Sequence, residues 1–112
     1  MKRRLGGVSA LAVAAVVAAQ ELPPGSAALR QRAQELLRAE RWTEAAEQFR
    51  LYLQTGADDP ATALDYAALL AQLNRREEAA RALEAVRARH PRHEPVLFRL
   101  AAEYAALERW AE

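Results

Sequence analysis

Two histidines three residues apart, in His90-Pro91-Arg92-His93, are the side chains best suited to hold a metal ion. Zinc sites take three or four protein ligands. No third ligand of that kind stands nearby in sequence, and the intervening proline marks a turn. A solvated turn is therefore the expected role of His90 and His93, and no metal site is expected. The chain contains no Cys, which removes thiolate ligands, thiol nucleophiles and disulfides together. No Ser-His-Asp arrangement, paired-carboxylate pocket pattern or Gly-rich phosphate loop is visible. Glu77-Glu78 falls where a helix should start, so it complements the helix dipole rather than supplying an acid and a base. What remains is recognition chemistry. Arg30, Gln34 and Arg38 stand at i, i+4 and i+8, which turns three directional donors the same way on a helix. Neither enzymatic activity nor a cofactor is expected.

The elements that must position these donors repeat. Arg41-Trp42-Thr43-Glu44-Ala45 returns as Arg75-Arg76-Glu77-Glu78-Ala79 and starts again at Arg109-Trp110-Ala111-Glu112, a period of 110 − 76 = 76 − 42 = 34 residues. A fixed period of that size marks stacked helix pairs. Composition agrees, because 28 of the 112 residues are Ala, the best helix former. Each expected helix is amphipathic and too short to be stable alone, so stability must come from stacking.

In the first unit, Ser26 is the expected cap of a helix over 27–38, whose buried stripe is Leu29, Ala33, Leu36 and Leu37. A partner helix begins near Trp42 with Ala45, Phe49, Tyr52 and Leu53 inward, and Gly56 stops it. Asp58-Asp59-Pro60 opens the second unit, with Ala63, Tyr66, Ala67, Leu70 and Leu73 inward on its first helix. Ala79, Leu83 and Val86 follow on its second helix, which His90-Pro91 ends. Glu94-Pro95 opens a third unit with Leu97, Leu100, Ala101, Tyr104 and Leu107 inward. Its second helix is only begun by Trp110. The expected organisation is repeat 1 over 26–59, repeat 2 over 60–93 and an incomplete repeat 3 over 94–112.

The first residues form a separate object. Lys2-Arg3-Arg4 precedes the uncharged, Ala/Val-rich run Leu5–Ala19, and Val17-Ala18-Ala19 offers small residues before Gln20. That order reads as a secretory signal peptide over 1–19, cleaved after Ala19, with a linker over 20–25. At 15 residues the run is short of the roughly 18–20 needed to span a bilayer. Retention as a membrane anchor is the alternative, and only then is a membrane a partner. Loss of the three basic residues leaves 16 − 3 = 13 basic against 15 acidic residues. The remaining Arg side chains alternate with Glu on helix surfaces, which is a solvated pattern rather than a phosphate-binding stripe. Nucleic acid is therefore excluded as a partner.

These helix pairs resemble the tetratricopeptide repeat family over Ser26–Glu112. The small residue at the family's helix crossing matches Ala33, Ala67 and Ala101, and the small residue early in helix B matches Ala45 and Ala79. The large residue four places later matches Phe49 and Leu83, and the large residue late in helix A matches Leu36, Leu70 and Tyr104. The chain departs from the pattern in two places. Leu29, Ala63 and Leu97 replace a usual Trp, and Ala57 replaces a terminal Pro that is present as Pro91. The resemblance implies an all-α solenoid of antiparallel helix pairs, about two and a half repeats long, with a concave groove lined by the helix A faces. Register then places Arg30, Gln34 and Arg38 in the groove. Leu64, Asp65, Ala68 and Gln72 join them from the second unit, and Phe98, Arg99 and Ala102 from the third.

Apolar contact at Leu64 and Phe98 beside guanidinium donors suits an extended peptide or a partner helix. Asp65 would repel a terminal carboxylate, so no carboxylate clamp is expected. The implied protein is an exported, periplasmic scaffold binding another envelope protein. A membrane-anchored accessory subunit and a structural spacer within a longer repeat protein are the alternatives. Leu97, Leu100 and Tyr104 would lack a lid, which would permit pairing of two copies through the open third repeat.

Overall fold

The computed structural model describes residues 25–111, and side chains as far as residue 108. The signal peptide expected over 1–19 and residues 20–24 of the expected linker lie outside the described residues, as does the Trp110 side chain. Five helices follow one another among the described residues: α1 (Ser26–Arg38), α2 (Trp42–Gln54), α3 (Pro60–Gln72), α4 (Arg76–Arg89) and α5 (Glu94–Ala111). The described residues contain no strand. Among the described residues, no helix is long and apolar enough to cross a membrane. The chain is an all-α solenoid of antiparallel helix pairs, as the period requires. α1 packs on α2, α3 on α4, and α5 on α4, while lighter contacts join α2 to α3 and α3 to α5.

The core is built from small residues opposite large ones. Ala33, Ala45, Ala63, Ala67 and Ala79 are fully buried, with Phe49, Leu70 and Leu83 filling the space between them. Close approach at the alanines lets the large side chains interdigitate at interior density. Phe49 and Tyr66 meet with ring centroids 6.3 Å apart, within the range of favourable aromatic contact.

Helix termini follow local chemistry, with one correction. Asp59 caps α3 by accepting from the Thr62 N–H at 3.1 Å, with Pro60 at the first helical position. Ser26, expected as the cap of α1, is instead its first helical residue, and Gly25 precedes it at φ 93°. A residue in that left-handed conformation is best served by glycine. Ser26 is buried at the start of the helix.

Both intra-unit turns use a left-handed residue that is not glycine: Glu40 at φ 61° and Asn74 at φ 65°, again 34 residues apart. Around them, Arg41 N–H donates to Leu36 C=O at 2.9 Å and Arg75 N–H to Leu70 C=O at 2.8 Å. Glu40 N–H donates to Leu37 C=O, and Asn74 N–H to Ala71 C=O, each at 3.0 Å. Each pair forms the two-bond closure that satisfies the last carbonyls of a helix. The equivalent Glu108 stays helical, because α5 continues to Ala111.

The third unit is turned relative to expectation. Val96, Leu100 and Glu103 are the buried positions of α5, with Leu107 packed partly against the core. Leu97 and Tyr104 are exposed at 36% and 37%, and Ala101 is exposed as well. Their equivalents Ala63, Ala67 and Leu70 are fully buried. In the first two units that stripe faces the unit's own helix B. The described part of the third unit has none, and α5 lays its other stripe on α4.

Candidate protein-binding surface

The residues assigned to the helix A face have different surroundings. Arg38, Asp65, Ala68, Gln72 and Ala102 are exposed, and Gln34 is half-buried. Leu64 packs partly against the core. Phe98 is the most exposed of the large apolar side chains among the described residues, at 73%. α3 and α5 touch directly, so Asp65 and Phe98 stand on neighbouring helices. Burial, followed by repulsion from Asp59, pushes the Asp65 carboxyl above its ordinary value.

Two of the arginines already have intramolecular partners. Arg30 stands 3.7 Å from an Asp59 carboxylate oxygen. That oxygen also accepts from the Tyr52 hydroxyl at 2.8 Å and the Thr62 hydroxyl at 2.7 Å. Asp59 thus joins α1, α2 and α3 at one point. Burial raises its pKa, but the Thr62 side-chain and backbone donors, the Tyr52 hydroxyl and the Arg30 charge outweigh burial and hold the carboxyl below its ordinary range. Arg99 donates from Nε to Glu103 at 2.8 Å. Arg30 and Arg99 therefore contribute to the joints between helices, while Arg38 stays exposed.

Glu103 is the functional group that sequence reasoning missed. It is 1% exposed, and its other oxygen accepts from Arg76 Nη1 at 2.8 Å. Two guanidinium groups, each about a third exposed, thus neutralise one buried carboxylate where α4 meets α5. The only sequence signal was the i, i+4 pair Arg99 and Glu103. The equivalent of Glu103 in the second unit is Leu69, a buried apolar residue.

The two histidines have structural partners. His90 Nε2 lies 2.7 Å from Asp58 Oδ1, and the His93 ring accepts from the Val96 N–H at 3.4 Å. His90 thus ties the second inter-unit turn to the first, and His93 serves the start of α5. Among the described residues, no three His, Cys, Asp or Glu side chains gather as a metal site would require.

A cavity of about 220 Å³ opens between α2 and α4, with Ala63 and Tyr66 of α3 among its lining residues. Of the residues assigned to the helix A face, none lines it. At roughly 100° per residue, Asp65 projects about 200° away from Ala63. The cavity therefore belongs to the helix B side of the solenoid, and nothing in the periodicity announced it.

No protein-family model matches this sequence, and no curated protein matches it. Among solved structures, the chain is similar to MamA (41-end) from Desulfovibrio magneticus RS-1, with 19% sequence identity and a TM-score of 0.67. The match covers 81% of this chain and 51% of that one, so the chain spans about half of its length. At this identity the likeness concerns the fold, which is all-α and tetratricopeptide-like.

Proposed function

We propose that this chain is a non-catalytic protein-interaction scaffold, exported to the periplasm after cleavage at Ala19, that holds an extended peptide or partner helix on its helix A face. The observation that carries the reading is Phe98: a phenyl ring 73% exposed beside a helix that carries Leu64 and Asp65. Burying such a ring on a partner contributes about 1.5–3 kcal/mol, enough to anchor a contact. Arg38 and Gln34 add donors for carbonyls or carboxylates further along the same face, and Asp65 disfavours an anionic group in the middle. Arg30 and Arg99 shape the face through Asp59 and Glu103.

The test is partner capture by variants. Phe98→Ala and Arg38→Glu should weaken capture of a partner from an envelope extract, while Arg81→Glu and Arg87→Glu on α4 should leave it nearly unchanged. Circular dichroism checks that each variant stays helical. Loss of capture with the α4 changes alone would overturn the assignment of the helix A face. Export is tested by intact mass, which should begin at Gln20. A full-length mass in the membrane fraction would instead support the anchored form.

A further inference from the structure

Tyr66 is 6% exposed, and its hydroxyl has no hydrogen-bond partner among the described residues. A buried donor left unmade costs about 1–3 kcal/mol, so the hydroxyl is ready to donate to an acceptor that enters beside it. Tyr66 lines the cavity between α2 and α4, with Leu53, Ala63, Ala82 and Val86 supplying apolar wall. Burial pushes the phenol up from its ordinary pKa, so it remains a proton donor.

Size and charge narrow the occupant. A cavity of about 150 Å³ accommodates benzene, whereas whole drug-sized ligands take about 300–1,000 Å³. At about 220 Å³ this cavity suits one aromatic side chain with a polar tip. Arg50 and Arg89 line it together with Asp58 and Asp59, so the ionic groups cancel. An ammonium would meet two arginines, and a carboxylate two aspartates. A neutral hydroxyl accepts from Tyr66 and has a proton of its own to give to a carboxylate.

We infer that the cavity between α2 and α4 receives a tyrosine side chain from a partner polypeptide, with Tyr66 donating to its hydroxyl. This second contact lies on the helix B side and stands apart from the proposal for the helix A face. A partner would thus be gripped from a side that the repeat pattern alone does not mark.

The test uses N-acetyltyrosinamide and N-acetylphenylalaninamide, titrated into the chain and followed by NMR at Tyr66, Leu53 and Val86. The tyrosine amide should shift these resonances and bind roughly three- to tenfold more tightly than the phenylalanine amide, as one hydrogen bond allows. Tyr66→Phe should bring the two ligands level, and Ala82→Phe, which fills the cavity, should abolish both. Absence of shifts, equal binding of the two amides to the unaltered chain, or unchanged binding to a folded Ala82→Phe variant would each overturn the proposal. If Ala82→Phe does not fold, the Tyr66→Phe comparison alone decides. Neither outcome bears on Phe98, so this failure is distinguishable from failure of the helix A reading.

Discussion

Arg76 and Glu103 are 27 residues apart in sequence and 2.8 Å apart in space, joined by one hydrogen bond from α4 to α5. Glu103 is buried while Arg76 is about a third exposed, so the carboxylate carries the larger desolvation cost. Arg99 offsets part of it from within α5.

Arg76→Leu should therefore destabilise the chain by about 1–3 kcal/mol, because Glu103 loses one of its two partners while staying buried. The double variant Arg76→Leu/Glu103→Leu should recover most of that loss, since an apolar pair often replaces a buried ion pair without cost. Chemical denaturation of the single and double variants decides the matter. A double variant no more stable than the single one would show that the charges are required.

The same repeat position should respond differently in two units. Ala67→Leu overpacks a fully buried crossing and should cost about 1–3 kcal/mol. Ala101→Leu sits on the exposed stripe of α5 and should stay within about 0.5 kcal/mol of the parent, as should Ala88→Leu. Equal shifts in melting temperature for all three would contradict the placement of α5.

Stability should fall in acid through Asp59. Its folded pKa lies below the ordinary 3.8, so its contribution is present above that value and is lost as pH falls through the folded value. Asp59→Asn should lower the melting temperature at pH 7, and the gap to the parent should narrow as pH falls below 3.8. Asp65 carries the opposite sign. Its folded pKa is raised, so its ionisation weakens the fold as pH rises, and Asp65→Asn should raise the melting temperature at pH 7 but not below pH 3.

Glu40 holds a left-handed conformation that costs an ordinary side chain about 1–2 kcal/mol. Glu40→Gly should accordingly stabilise the chain, and Asn74→Gly should gain less because Asn tolerates that region better. Urea midpoints of the two variants measure the difference.

Much of this architecture was legible in the sequence because the period places Ala33 under Ala67, and Ala45 under Ala79. A small residue at a helix crossing is a strong constraint, and its recurrence phases every helix around it. The stripe of α5 was misread for the same reason. Phasing by the repeat assumes each helix A faces its own helix B, whereas α5 lies on α4 with Val96, Leu100 and Glu103 inward. Glu103 was invisible because carboxylates are almost never buried without a partner, and its partner Arg76 comes from another helix. The cavity beside Tyr66 was invisible because it depends on how closely α2 and α4 approach, which no local pattern encodes.

The two joints of the solenoid differ in how firmly they are made. α4 and α5 share an extensive contact with a buried carboxylate and two guanidinium groups across it, while α2 meets α3 more lightly beside an open cavity. The lighter α2–α3 joint is therefore expected to part before the α4–α5 joint. Across the lighter joint the tie is polar, with Arg30 and the Tyr52 hydroxyl meeting Asp59 at the start of α3. Amide protons that exchange by parting that joint should do so well before those shielded by the α4–α5 contact.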